Sequence, residues 1–238
     1  MRKGLLAGWI ALLPFVVYAS NDRIAGVTFS NDKGAIYVSA KDIARDLKIP
    51  LEYDRRSDLA FLGSIPLDYH SAVGDQRFVS LAALTSLGAK IETKKSETII
   101  RLNGNTVAVR VGKKTATVDK RSQQIKVFQG GSLVLTSRVS TGKYTRSTPT
   151  GTFRIGTEKD AYHSSAKYDD APMPWAVHVV RNIFIHGGVV PDYPASHGCI
   201  RLPEDAAKWF YNWAEPGTVV TIRLPLPAST SKAASASN

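Results

Sequence analysis

The sequence predicts a small α+β module followed by a larger, mainly β domain with one short helix. Three observations carry this. A strand, short helix, strand, strand pattern occurs twice between residues 35 and 111. Beyond residue 112, apolar residues alternate in short runs separated by Gly- and Asn-containing turns, which is the period of strands. A single helical run, opened at Pro203 and closed at Pro216-Gly217, interrupts those strands late in the chain.

The repeat aligns Ile36-Tyr37-Val38-Ser39 with Arg77-Phe78-Val79-Ser80. Short amphipathic stretches follow, at 40–47 and 81–87. Leu51-Glu52 then matches Ile91-Glu92, and the apolar segment 59–62 matches 99–102. Ser39 and Ser80 stand where helix N-caps belong, with hydroxyls able to accept from free backbone N–H groups. Asn103-Gly104 predicts a hairpin between 99–102 and 106–111, because both residues tolerate positive φ. Across residues 25–111 one histidine, His70, and no cysteine are present, too few ligands for a metal site. These two units resemble the small module named after the N-terminal domain of copper amine oxidases. The name does not imply copper here, and with no residues set out for chemistry this half is expected to be a folded spacer or wall-contact module.

A boundary is expected at Gly112-Lys113-Lys114. Ile125, Val127, Leu133 and Leu135 alternate around Gly130-Gly131 and predict a hairpin. Residues 152–155 form another strand, and 176–180 pairs with 183–186 around Arg181-Asn182. Pro203, Glu204 and Asp205 suit a helix N-terminus, where proline loses no hydrogen bond and acids meet the positive end of the dipole. Residues 218–222 return as a strand. Residues 226–238 are small and polar, a composition that predicts a disordered tail.

The chain has 238 residues, 43% of them hydrophobic, enough for packed cores. Lys and Arg number 31 against 20 Asp and Glu, a net charge of +11. Such a charge attracts polyanions. The sequence carries no zinc knuckle, helix-turn-helix or RNA-binding aromatic signature, so nucleic acid is not the expected partner. Anionic envelope polymers fit the charge, as does a plain solvated basic face. Arg2 and Lys3 precede an apolar run over 5–17, and Val17 and Ala19 supply small residues before a cleavage point. Residues 1–19 therefore predict a signal peptide. Export is expected, to the periplasm or the cell wall.

An exported chain with one cysteine cannot form an internal disulfide, and an unpaired thiol in an oxidising space calls for a reason. Its surroundings supply one. Cys199 lies in Ser196-His197-Gly198-Cys199-Ile200-Arg201, downstream of Ile185-His186-Gly187. A thiol nucleophile needs a base or cation that raises its thiolate fraction, close backbone approach, and N–H donors for an oxyanion. Histidines and glycines here provide these residue types.

This segment resembles the signature of the L,D-transpeptidase catalytic domain, the YkuD domain. Two further segments extend the resemblance over about 114–224. Ser147-Thr148-Pro149-Thr150-Gly151-Thr152-Phe153 is similar to the family's Thr-Pro-x-Gly-x-Phe motif, and Met173-Pro174-Trp175 to its Met-Pro-aromatic motif. The resemblance implies a YkuD-like β-sandwich over 112–225 that works without a cofactor or metal. It implies that Cys199 attacks the amide between the diamino acid and the terminal D-alanine of a peptidoglycan stem tetrapeptide. D-alanine leaves, and an amine resolves the thioester into a cross-link. His186 is then the base, oriented by the Gly187 carbonyl. The loop around His197 and Gly198 holds the oxyanion. Arg201, Ser196, Met173, Trp175 and Tyr162 contact the substrate. Carbapenem-type β-lactams are the implied covalent inhibitors.

Alternatives remain at this stage. Water in place of the amine gives a carboxypeptidase or hydrolase, and a lipoprotein lysine or free D-amino acid is an alternative acceptor. His186, His197 and Cys199 could ligate zinc. A catalytically inactive wall-binding protein would keep the fold alone. Arg201 could brace its loop, Trp175 could belong to the core, and His163 and His178 are given no role.

Overall fold

The structure, a computed structural model, describes residues 23–54, 59–67, 72–73, 76–95, 97–165 and 170–225. Residues 1–19, where a signal peptide is expected, His70 and the polar residues 226–238 fall outside the described residues. Among the described residues, no helix is long and apolar enough to cross a membrane.

The N-terminal part begins with β1 (Arg23–Phe29) and β2 (Asp32–Ser39), followed by helix α1 (Ala40–Leu47). Then come β3 (Leu51–Asp54), β4 (Leu59–Leu62), β5 (Ile65–Leu67), β6 (Ala72–Val73) and β7 (Gln76–Ser80). After a 3₁₀ segment (Ala82–Leu87) come β8 (Lys90–Lys94), β9 (Glu97–Leu102) and β10 (Asn105–Val111). The repeated order is therefore β2-α1-β3-β4 and β7-3₁₀-β8-β9. Ser39 is the N-cap of α1, whereas the 3₁₀ segment has Leu81 at its N-cap and Ser80 one residue before it. Ser39 Oγ accepts from Asp42 N at 3.3 Å and Ser80 Oγ from Ala83 N at 3.2 Å. The second helix tightens to 3₁₀ geometry where the hydroxyls of Thr85 and Ser86 donate to the carbonyls three residues back, at 2.7 and 2.8 Å. Such bonds compete with the α-helical ladder. Asn103 and Gly104, with φ of 50° and 76°, make the two-residue turn between β9 and β10.

The second part comprises β11 (Lys114–Asp119), β12 (Gln124–Gln129), β13 (Ser132–Arg138), β14 (Gly151–Arg154), β15 (Lys159–Ser165), β16 (Ala171–Val180), β17 (Ile183–Gly187) and β18 (Ile200–Leu202). Helix α2 (Glu204–Trp213) and β19 (Val219–Arg223) close it. It is a sandwich of a five-stranded sheet, β13-β12-β11-β19-β14, and a four-stranded sheet, β15-β16-β17-β18. Ala116, Val118, Ile125, Val127, Val220 and Ile222 of one sheet meet Val177, Val179, Ile185, Ile200 and Leu202 of the other in one core. The α2 residues Phe210 and Trp213 join it.

Two details differ from the sequence reading. A bulge at Val127/Phe128 shifts the β12–β13 register, so Val134 and Leu135 are both buried while Leu133 is exposed. A bulge breaks strict alternation by inserting an unmatched residue. Pro203 is the N-cap residue of α2, not its first helical residue.

The two parts touch along α2. Phe29 and Phe78 pack on Trp209, with ring centroids at 5.5 and 6.0 Å. Ser30 N donates to Asn212 O, and Gln129 bonds both Thr28 Oγ1 (3.1 Å) and Trp213 Nε1 (2.8 Å). Lys114 Nζ donates to Trp213 O at 2.9 Å and Lys159 Nζ to Ala214 O at 2.8 Å. Two cations thus meet the negative end of the α2 dipole and its unpaired carbonyls.

Candidate active site

Strand pairing brings the two halves of the sequence signature together. β17 and β18 run parallel, with Ile185 opposite Ile200, His186 opposite Arg201 and Gly187 opposite Leu202. Ile185 and Ile200 point into the sandwich core. Side chains alternate along a strand, so Phe184, His186, Cys199 and Arg201 share the outer face. Beside that face is a cavity of about 900 Å³. Cys199, His186, Gly187, Ser196, His197, Arg201 and Met173 all line it.

The imidazole of His186 is 5% exposed. Its Nδ1 lies 2.7 Å from the Gly187 carbonyl oxygen. A carbonyl only accepts, so in the neutral ring Nδ1 carries the proton and Nε2 is the basic nitrogen. Burial pushes the imidazole pKa down to about 4. The Gly187 carbonyl opposes this, while Arg201 and His163 add to it. The Cys199 thiol is half-buried, and its Sγ lies 3.7 Å from the Asn182 carbonyl oxygen. Burial pushes its pKa up, against the pull of the Phe184 backbone N–H and of Arg201. The sequence reading expected a raised thiolate fraction. Burial instead works against charge on both groups, holding the imidazole pKa down and the thiol pKa up despite the nearby cation.

The loop before Cys199 is tied from inside. Ser196 Oγ donates to the Cys199 carbonyl and accepts from Gly198 N at 3.1 Å. The Gly198 amide, expected at the oxyanion, is engaged within the loop. Gly198 has a φ of 126°, a conformation that favours glycine. Thr148 Oγ1 donates to Gly198 O at 2.7 Å and accepts from Gly142 N at 2.8 Å. Thr141 O accepts from Ser196 N, and Ser140 exchanges two backbone bonds with Arg201 at 3.0 Å. A Cβ on Gly142 would lie 2.1 Å from Arg146 O. Behind these, buried Gln123 holds Thr141 through its Oε1 (2.8 Å) and Nε2 (2.9 Å).

Two predicted substrate residues do not line the cavity. Trp175 has a φ of 59°, which breaks the alternation of β16. Its ring packs on Tyr211 of α2 at 5.6 Å, under Lys208, and Met173 and Ala176 share the cavity-side cluster with Phe184 instead. Tyr162 is 91% exposed. The neighbouring His163, directly paired with Met173, lines the cavity together with Ser164 and Ser165 of β15. His163 stacks on Phe184 at 4.7 Å and its Nδ1 lies 3.5 Å from Asp160. Sequence reasoning had left His163, Arg181, Asn182, Ser140, Thr141, Gly142 and Gln123 without a role in the site. The Ser140-Thr141-Gly142 run, a turn-like cluster between strands, was the available signal. His197 is exposed at the mouth, and burial, Lys143, Arg146 and Arg201 all lower its pKa. Among the described residues, no three His, Cys, Asp or Glu side chains are grouped to hold a metal ion.

Residues 113–222 match the family model of YkuD, the L,D-transpeptidase catalytic domain. Among solved structures, the chain is similar to the L,D-transpeptidase (Yku) of Stackebrandtia nassauensis, at 25% identity and a TM-score of 0.44, over 47% of this chain and 55% of that one. It is also similar to the L,D-transpeptidase (residues 123–326) of Xylanimonas cellulosilytica, at 26% identity and a TM-score of 0.43, over 48% of this chain and 61% of that one. L,D-transpeptidase 3 of Mycobacterium tuberculosis, in complex with a faropenem-derived adduct, is 13% identical with a TM-score of 0.43, over 85% and 94% of the two chains. The chain spans little more than half the length of the first two. No curated protein matches it.

Proposed function

We propose that the chain is an exported, cysteine-dependent L,D-transpeptidase acting on peptidoglycan stem tetrapeptides, with 112–225 as its catalytic domain and 25–111 as a wall-contact or spacer module. The observation that carries this reading is the pair itself. Cys199 and a buried His186, its Nδ1 on the Gly187 carbonyl, line one cavity within the segment that matches the family model.

In the proposed reaction the Cys199 proton passes to His186 Nε2 as Sγ attacks the carbonyl carbon between the diamino acid and D-alanine. The imidazolium that forms is held by the Gly187 carbonyl. The oxyanion takes the Cys199 N–H as donor, and the loop tied by Ser196 and Thr148 keeps that amide in place before the reaction begins. As the C–N bond breaks, His186 returns the proton to the departing amine of D-alanine, leaving a thioester on Sγ. An acceptor amine then loses a proton to His186, attacks the thioester and restores the thiol. Arg201 receives a substrate carboxylate, which its guanidinium can grip through two donors. Met173 supports the apolar wall beside Sγ. The strained amide of a carbapenem-type β-lactam is attacked by the same sulfur.

Incubation with a disaccharide tetrapeptide tests this reading. Cross-linked dimer is the expected product. Tripeptide alone would mean that water, not an amine, resolves the thioester. No turnover of any peptide donor would leave a wall-binding protein.

A further inference from the structure

Among the described residues, every titratable group lining the cavity, thiol aside, is an arginine or a histidine. These are His163, Arg181, His186, His197 and Arg201, with no aspartate or glutamate among the described lining residues. Asp160 of β15 and Glu158, just before it, already have partners. Glu158 lies 3.5 Å from His178 Nδ1, and Asp160 lies 3.5 Å from His163 Nδ1. Such a cavity favours an anion of more than one charge.

The two arginines stand at different places relative to Cys199. Arg201 lies at the far end of β17, opposite His186. Arg181 lies before the start of β17, next to Asn182, whose carbonyl contacts Sγ. Along the strand the order is Arg181, the thiol, then Arg201 with His186. Arg181 occupies a turn position with a φ of 52°, where Asn or Gly is the usual residue. Its carbonyl is held by His178 Nε2, so the turn is fixed although the side chain is exposed. Among the described residues, neither guanidinium forms an ion pair.

We infer that Arg181 holds a second substrate carboxylate, across the scissile amide from the one held by Arg201, so that the enzyme selects donor peptides whose carboxyl groups are free rather than amidated. This rests on the proposed transpeptidase reading. A charge-assisted contact at an exposed arginine is expected to be worth about 10-fold in affinity.

The test compares two tetrapeptides with the same free terminal D-alanine, one with its remaining carboxyl groups free and one with them amidated. Calorimetry on Cys199→Ala protein, in which no chemistry follows, is expected to give about 10-fold tighter binding of the free acid. Adding Arg181→Gln should lower that affinity to the level of the amide and leave the amide unchanged. Equal binding of the two peptides to Cys199→Ala protein, no measurable binding of either, or a preference that survives Arg181→Gln would overturn the inference. Adduct formation by the wild-type protein is scored separately. If neither peptide acylates it, the transpeptidase reading fails, while the binding ratio still decides the role of Arg181.

Discussion

A base with a pKa of about 4 works where an ordinary histidine is already protonated, and the proposed mechanism gives that role to His186. The perturbation is acid. At pH 5 a group with a pKa of about 4 is ~90% neutral, whereas one at the unperturbed ~6.5 is only ~3% neutral, about a 30-fold difference in competent enzyme. The proposed mechanism needs Nε2 unprotonated in the free enzyme, so kcat/KM should stay nearly flat from pH 7 to pH 5 and fall through about pH 4. The assay is the initial rate of acyl-enzyme formation at subsaturating tetrapeptide, measured across that range in buffers of constant ionic strength. The same physics sets the other limb. The thiol is raised, so alkylation of Cys199 by iodoacetamide should still be climbing at pH 9. An acid limb near pH 6.5, or a thiol that titrates below its ordinary value, would refute the argument. Either would mean a preformed thiolate–imidazolium pair, with desolvation outweighed.

Other consequences follow from the same contacts. The lowered His186 pKa means that the unfolded chain binds a proton that the folded one resists. Stability from this group is therefore intact above pH 6.5 and declines toward pH 4, by roughly 3 kcal/mol once both forms are past their pKa values. His186→Gln should flatten that part of the denaturant-measured stability profile. Thr148→Val keeps the shape but strands Gly198 O and Gly142 N, which should cost about 2–5 kcal/mol in urea unfolding and slow acylation. A loss below 0.5 kcal/mol would show that the loop does not depend on this hydroxyl. Lys114→Met removes the donor to the end of α2 and leaves Trp213 O buried, and should lower stability by about 1–3 kcal/mol. Phe29→Ala empties the ring cluster over Trp209, with an expected loss of about 2 kcal/mol and a single shared melting transition. Two separate transitions in wild-type protein would contradict the coupling of the two parts along α2.

The sequence reading reached most of the fold where periodicity was strong or turn chemistry was specific. Asn103-Gly104, Gly130-Gly131 and Arg181-Asn182 each stand between the strands they were expected to join, and Ser39 caps its helix. Strands held by their neighbours rather than by their own pattern escaped it. β18 has three residues, β15 reads Lys-Asp-Ala-Tyr-His-Ser-Ser, and β1 pairs in parallel with β10, Arg23 standing opposite Ala108. At the site, His186, Cys199, Arg201 and Met173 were legible because strand parity and local motif agree. Trp175 lies away from the cavity because a single positive φ reverses the face of β16, which no composition signal announces, and Tyr162 because strand alternation turns its side chain to solvent while His163 faces the cavity. The Gln123–Thr141 support could not be seen because residues 18 apart meet only through the β12–β13 hairpin.

The central claim is that Cys199 carries the acyl group and His186 activates it. Intact-protein mass spectrometry after brief incubation with disaccharide tetrapeptide tests this most directly, with Cys199→Ala and His186→Gln as parallel samples. The account predicts an adduct equal to the substrate minus D-alanine on the wild-type protein, none on Cys199→Ala, and formation slowed by at least about 100-fold on His186→Gln. An adduct that persists on Cys199→Ala, or forms at the wild-type rate on His186→Gln, would contradict it.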